Sequence, residues 1–75
     1  MAEEIMKIIK DINPYEEFDV RTDLIEEEIL DSLGIMLLIT ELENKYTIEI
    51  SLENLEISTF KNIESIVDLV KRSKD

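Results

Sequence analysis

The sequence predicts an all-α fold, a small four-helix bundle with three main helices, one short helix and a long first loop. Three stretches of the chain repeat apolar residues at the three- and four-residue spacing of one helix face. The one short stretch that alternates like a strand has no second stretch to pair with. A length of 75 residues suits one small domain, so residues 1–75 are predicted to form a single domain.

The first helix is predicted over residues 3–12. Its buried face consists of isoleucines at helical spacing, namely Ile5, Ile8, Ile9 and Ile12. Asn13 and Pro14 end this helix, because the residue before a proline avoids the helical region. Residues 14–31 show no sustained period. They are predicted to form the long loop, held to the core by some of their scattered apolar side chains.

The second helix is predicted over residues 32–46, with Asp31 or Ser32 as its N-cap. Its inward stripe consists of Ile35, Leu38, Ile39, Leu42 and Tyr46. A second apolar stripe, which we call the outer stripe, consists of Leu33, Met36, Leu37 and Thr40. A helix in so small a domain needs only one such stripe for its own core. Two interpretations of the outer stripe stay open: packing against the long loop, or contact with another protein.

The remaining third of the chain is predicted to hold the short helix and the last main helix. Residues 47–51 are predicted to be an extended connector, and residues 52–56 a short helical turn capped by Ser51. The last helix is predicted from about Asn62, a good N-cap, to about Arg72. Its buried face consists of Ile63, Ile66, Val67 and Val70.

The net charge of the chain indicates which classes of partner it attracts and which it repels. Nineteen acidic residues against eight basic ones give a net charge of −11. Such a surface repels nucleic acid and anionic membranes and attracts proteins that carry basic patches. No apolar run approaches the 18 residues of a membrane span, so membrane insertion is not expected and a cytoplasmic location is predicted.

The sequence lacks the residue types on which most catalytic and metal sites depend. It has no histidine and no cysteine, so the commonest general base, the commonest metal ligand and any thiolate nucleophile are absent. Residues 11–15 alternate oxygen-bearing side chains like the start of an EF-hand loop, but Glu16 stands where that loop requires glycine. We therefore expect no enzymatic activity, no catalytic residues and no metal site.

The tripeptide Asp31-Ser32-Leu33 at the start of the second helix admits two interpretations. One is that Ser32 is an ordinary N-cap, and the three letters alone are weak support for anything more. The other is that Ser32 is an attachment point. A phosphate on a serine at this position would lie beside free N–H groups and the positive end of the helix.

The motif and its surroundings resemble the acyl carrier protein family, which includes the peptidyl and D-alanyl carriers. The residues that carry the resemblance are Asp23-Leu24, Leu30-Asp31-Ser32-Leu33, Leu38, Leu42-Glu43, Tyr46 and Ile48-Glu49-Ile50. In that family a separate transferase attaches 4′-phosphopantetheine to the serine of Asp-Ser-Leu. The resemblance therefore implies that the cofactor is attached covalently at Ser32 and that Asp31 flanks the site as a cap. It also implies that the substrate is carried as a thioester on the cofactor's thiol.

The segment around Ser32 is more similar to the corresponding segment of D-alanyl carriers and some free-standing aminoacyl carriers than to that of fatty-acid carriers. Gly34 and Leu37 stand where fatty-acid carriers often have acids, and the acidic segment before Ser32 is longer. The resemblance thus implies a free-standing carrier in a specialised pathway, for aminoacyl, D-alanyl or secondary-metabolite acyl groups. Nothing in the sequence identifies the cargo.

The resemblance also implies the partners: a phosphopantetheinyl transferase, an acyl- or aminoacyl-activating ligase, and downstream transferases or synthases with basic patches. The chain is expected to be a monomer. The predicted partner-binding residues are the outer stripe, Leu33, Met36, Leu37 and Thr40, and the acids Glu41, Glu43 and Glu49, for which a merely solvated surface stays open. An alternative function is a carrier-like acidic protein-interaction module without a prosthetic group, in which Ser32 is only a cap.

Overall fold

The computed structural model describes residues 1–51, 53 and 55–74, and it contains three α-helices and one short 3₁₀ helix. Helix α1 spans Ala2–Ile12, α2 spans Ser32–Tyr46 and α3 spans Ile63–Ser73. The 3₁₀ helix spans Ile57–Phe60. These elements confirm the all-α fold with a long first loop, and the bounds of the three main helices agree with the prediction to within one residue.

The short helix lies further along the chain than predicted. The predicted turn over 52–56 falls partly on Leu52 and Asn54, which lie outside the described residues. Glu56 has an extended backbone, with φ −98° and ψ 143°, and is the N-cap of the 3₁₀ helix. The part of the prediction that covers Glu56 is therefore wrong.

Capping residues set where α2 and α3 begin. Asp31 is the N-cap of α2, and its Oδ1 accepts a hydrogen bond from the Gly34 N–H at 2.7 Å. Asn62 is the N-cap of α3, and its Oδ1 accepts from the Ser65 N–H at 2.8 Å. Each bond satisfies an N–H group that has no partner within its own helix. A left-handed Thr47, with φ 53°, ends α2.

Helix α1 runs antiparallel to α2, and α3 runs in the same direction as α2. The start of α1 meets the end of α2, because the Tyr46 O–H donates to Glu4 Oε1 at 3.2 Å. The end of α3 also lies at this pole, since Lys74 Nζ is 5.5 Å from the centre of the Tyr46 ring. At the opposite pole, the Leu24 N–H donates to the Lys61 carbonyl at 2.6 Å, which ties the long loop to the start of α3.

A small polar cluster holds the first of these poles together. Glu4 Oε2 lies 3.5 Å from Lys45 Nζ, and Glu4 Oε1 accepts the Tyr46 hydrogen bond. The bond from Tyr46 and the charge of Lys45 lower the pKa of Glu4. Partial burial, with the neighbouring Glu4 carboxylate, raises the pKa of Tyr46.

One hydrophobic core joins the three helices, the loop and the connector. Its buried members are Ile5, Ile9, Leu24, Ile29, Leu30, Leu38, Ile39, Leu42, Ile50, Phe60, Ile63, Ile66, Leu69 and Val70. The core residues on α1 and α2 belong to the faces that the sequence predicts. Ile35 and Tyr46, also predicted for the α2 face, are half-buried at the edge of the core. On α3 the buried face includes Leu69, which lies three residues after Ile66, whereas Val67, which was predicted to be buried, is only half-buried.

Among the described helices, none combines the length and the apolar character that a bilayer crossing requires.

Candidate functional site

Ser32 is the first residue of α2, and its side chain is exposed to solvent. The side chain that caps the helix is Asp31, through the bond from the Gly34 N–H. The capping role that the sequence left open between the two residues thus belongs to Asp31. The Ser32 hydroxyl is presented at the positive pole of a 15-residue helix, where N–H groups of the first turn face outward.

The loop before Ser32 is fixed by hydrogen bonds and by burial. Leu30 is 2% exposed, and its N–H donates to the Leu24 carbonyl at 3.0 Å. Asn13 Nδ2 donates to the Ile29 carbonyl at 3.2 Å, across 16 residues of sequence. These contacts confirm the prediction that apolar side chains hold the long loop to the core. They fix the backbone immediately before Asp31 and so the direction in which Ser32 projects.

Asp23 orders the turn in the middle of this loop. Its Oδ1 accepts from the N–H groups of Ile25 and Glu26 at 3.1 and 2.9 Å. The turn ends at Glu28, which has φ 58° and whose N–H donates to the Ile25 carbonyl at 3.1 Å. A left-handed backbone is unfavourable for a residue with a Cβ, so Glu28 is a strained position four residues before Ser32.

Gly34 makes room for the cap. A Cβ at this position would lie 3.2 Å from Asp31 Oδ1 and 3.5 Å from Leu30 Cδ2. A larger residue here would need the Asp31 carboxylate to shift by a few tenths of an ångström.

A cleft of about 510 Å³ adjoins Ser32. It is lined by Ile25, Glu28, Leu30, Asp31, Ser32, Ile35 and Ile57. Ile57, on the 3₁₀ helix, is 63% exposed and is one of these lining residues. A flexible arm attached to the Ser32 oxygen would have this half-apolar cleft beside it, so the residues present fit a phosphate-linked prosthetic group.

The outer stripe of α2 is open to solvent. Leu33, Met36 and Leu37 are 68%, 51% and 47% exposed, and Thr40 is also exposed. The interpretation that Leu33 and Met36 pack against the loop is therefore wrong. Exposed apolar side chains of this size beside a candidate site favour contact with another protein.

The three acids predicted to bind partners differ in their surroundings. Glu41 and Glu49 are exposed. Glu43 is half-buried, and its Oε2 accepts a hydrogen bond from the Ile50 N–H at 3.0 Å. Glu43 therefore ties the connector after α2 to the helix, and a contact with a basic partner stays a prediction for all three.

Sequence reasoning missed three residues that shape the site. From the sequence, Asn13 is predicted only to end α1, whereas in the structure its side chain donates a hydrogen bond to the Ile29 carbonyl in the loop. Ile57 and Glu28 were not singled out, although both line the cleft. The only sequence signal for Ile57 was an apolar residue outside any predicted helix face.

Comparisons with known proteins agree with this geometry. A family model described as "Phosphopantetheine attachment site" matches residues 3–70. The D-alanyl carrier protein of Lactococcus lactis subsp. lactis (strain IL1403) is 34% identical over 77 residues, which cover 100% of this chain and 98% of that protein. The D-alanyl carrier protein of Lactococcus lactis subsp. cremoris (strain MG1363) is likewise 34% identical with the same coverage. No solved structure gives a significant match to the chain.

Proposed function

The chain belongs to the family of phosphopantetheine carrier proteins, and we propose that Ser32 is the residue through which it holds its 4′-phosphopantetheine. It is a free-standing carrier of a substrate on that group. The observation that carries the assignment of the residue is the exposed Ser32 side chain at the first position of α2, with the capping role taken by Asp31. We propose further that residues 1–75 form one carrier domain.

Ser32 needs no activating neighbour for this role. Its hydroxyl oxygen forms a bond to the phosphorus on the pantetheine side of coenzyme A, while the bond between the two bridging phosphates breaks and adenosine 3′,5′-bisphosphate leaves. The serine proton passes to a base of the transferase, since the chain has no histidine to accept it. The base and the metal of this step belong to the transferase, and Asp31 flanks the oxygen where the transferase docks. The bound group supplies a thiol for carrying the substrate, which the chain lacks because it has no cysteine.

The start of α2 stabilises the phosphate once it is attached. The first turn of a helix offers N–H groups without internal partners, and Asp31 engages the one on Gly34. By helix geometry, the N–H groups of Ser32 and Leu33 remain for the phosphate oxygens, together with the positive pole of the helix.

The partners of the family in general are a phosphopantetheinyl transferase and an activating ligase. We propose that here they dock on the outer stripe through apolar contacts and on Glu41 and Glu49 through basic patches. A net charge of −11 speeds such encounters and keeps the carrier a monomer through self-repulsion. Because the transferase takes the group from coenzyme A, we propose a cytoplasmic location. We propose no catalytic activity for the chain itself.

We propose an aminoacyl cargo, with D-alanine as the first to test. The support is that two relatives covering the whole chain are named D-alanyl carrier proteins. The test incubates the modified carrier with ATP, a D-alanine-activating ligase of Lactococcus lactis, and D-alanine, L-alanine or a short fatty acid. A mass gain with D-alanine alone supports the proposal. A gain with another acid, or none with D-alanine, contradicts it.

The assignment of Ser32 is tested by incubating the purified chain with coenzyme A and a promiscuous phosphopantetheinyl transferase. Intact mass should rise by one phosphopantetheine group. Ser32→Ala should abolish the gain, and Ser58→Ala, which removes another exposed hydroxyl, should leave it intact. No gain in the natural chain would favour the alternative of an acidic interaction module in which the serine carries nothing.

A further inference from the structure

A groove between α1 and α2 starts beside Asp31 and runs along α2 toward its C-terminal end. Its first part is lined by Ile12, Leu33 and Leu37 among others, and its middle part by Ile8, Asp11, Ile12, Leu37 and Glu41. Ile12 and Leu37 line both parts, so the two parts adjoin at these residues. It lies on a different side of α2 from the cleft beside Ser32, which is lined by Ile35 and Ile57.

The floor of the groove is apolar and open. Leu37 is 47% exposed, and Ile8 and Ile12 of α1 are only half-buried although both belong to the face of α1 that packs on the core. Apolar side chains left open along two adjacent helices form the kind of surface that a partner's helix covers.

The charged side chains that line the first and middle parts of the groove are all acidic, whereas the next part is also lined by Lys7 and Lys45. Asp11 projects from α1 and Glu41 from α2, both are exposed, and both line the middle of the groove and its next part. Two carboxylates flanking an apolar floor are complementary to a segment with cationic side chains on the flanks of an apolar face. Nucleic acid and anionic lipid carry the wrong charge for these two carboxylates.

We propose that this groove binds a basic amphipathic helix of a partner enzyme. The helix lays its apolar face on Ile8, Ile12 and Leu37 and directs lysine or arginine side chains to Asp11 and Glu41. The groove from Leu33 to Glu41 follows nine residues of α2, a rise of about 12 Å, which is the length of about two turns of a bound helix. The inference rests on the proposed function, since it takes the partner to be an enzyme that acts on the carrier.

The proposal extends the docking surface beyond the outer stripe to α1. Leu37 and Glu41 were predicted to meet partners, whereas Ile8, Asp11 and Ile12 were not. Met36 precedes Leu37 by one residue and so projects about 100° away around α2, toward the Ser32 side. The two sides of the stripe thus have separate roles, with Met36 next to the attachment point and Leu37 at the groove.

The test uses the unmodified ¹⁵N-labelled chain and a synthetic amphipathic helix made of leucine and lysine as the probe. Nuclear magnetic resonance titration should shift the backbone amides of Ile8, Asp11, Leu37 and Glu41 most. A control peptide with serine in place of leucine should lose these localised shifts. The proposal would be overturned if the largest amide shifts centred on Met36 and Ile57. It would also be overturned if the serine peptide shifted the same amides by the same amounts.

A matched pair of variants measures the electrostatic part. Asp11→Lys reverses a charge in the groove, and Glu3→Lys makes the same change on the same helix at an exposed position that does not line the groove. Asp11→Lys should raise the Kd for the peptide about tenfold, and Glu3→Lys about twofold through net charge alone. Equal effects would overturn the proposal. Because the unmodified chain is used, failure of modification at Ser32 leaves this result unaffected.

Discussion

Asp31 Oδ1 accepts a hydrogen bond from the Gly34 N–H at 2.7 Å, and this bond leaves Ser32, the residue that follows Asp31, free of the capping role. The cap and the attachment point are thus adjacent residues with separate tasks. Asp31 fixes the first turn of α2, and Ser32 presents a hydroxyl to solvent at the same turn.

The first prediction separates these tasks by stability. Asp31→Ala should lower the free energy of unfolding by about 1 kcal/mol, because it removes the N-cap. Asp31→Asn should keep most of the stability, since asparagine is an equally good cap. Ser32→Ala should cost less than about 0.5 kcal/mol, because its side chain is exposed and is not the cap. Urea denaturation measures all three, and a Ser32→Ala loss equal to that of Asp31→Ala would show that Ser32 is the true cap.

The second prediction concerns the strained Glu28. Glu28→Gly should raise the free energy of unfolding by about 0.5 kcal/mol, because glycine adopts φ 58° without the steric penalty of a Cβ. The relief of this penalty should outweigh the extra conformational entropy that glycine gives the unfolded chain. Glu27→Gly removes the same charge at an exposed position without a positive φ and should destabilise. Thermal unfolding at equal pH compares them. Destabilisation of similar size in both variants would mean that the Glu28 backbone is not strained in solution.

The third prediction is a pH dependence at the pole opposite Ser32. The lowered pKa of Glu4 means that the folded chain holds its carboxylate ionised more readily than the unfolded chain does. This contribution to stability is present above the ordinary value of 4.5 and is lost as the pH falls through the lowered folded pKa. The stability difference between the natural chain and Glu4→Gln should therefore shrink as the pH drops below about 4.5.

The control for this pH profile is Glu3→Gln, which removes the same charge from the same turn of α1. Its difference from the natural chain reports the general effect of one acid on a crowded acidic surface. Urea denaturation across acidic pH gives both profiles. If the two variants trace the same curve, the contacts of Glu4 with Tyr46 and Lys45 do not bias its protonation.

The fourth prediction separates the outer stripe from the core on a single helix. Leu33→Ala should change the free energy of unfolding by less than about 0.5 kcal/mol, because Leu33 is 68% exposed. Leu38→Ala should cost about 2–5 kcal/mol, since Leu38 is fully buried. The Leu33 variant should nevertheless be modified more slowly by a phosphopantetheinyl transferase at limiting concentration. A large loss of stability in Leu33→Ala would place this side chain in the core.

Local signals explain why the three main helices were predicted well from sequence. Asn13 before Pro14 ends α1, Asp31 starts α2 and Asn62 starts α3, and each effect acts within three residues of the chain. The periodicity of apolar residues then gave the buried faces. Ser32 could be singled out because its motif is also local.

Long-range contacts explain what the sequence did not reveal. The hydrogen bond from the Asn13 side chain to the Ile29 carbonyl spans 16 residues, and no sequence pattern in either segment predicts it. The choice between Val67 and Leu69 at the edge of α3 depends on how that helix is rotated against its neighbours, which the spacing alone leaves open. The exposure of Leu33 and Met36 depends on where the long loop runs, so the sequence left two interpretations of the outer stripe.

The most direct measurement is tandem mass spectrometry of the protein isolated from its own cells. The account predicts one phosphopantetheine group on the proteolytic fragment that contains Ser32, with the fragment ions placing it on the serine oxygen. A fully unmodified fragment in growing cells, or the group found on another residue, would contradict the claim that this hydroxyl is the carrier's tether.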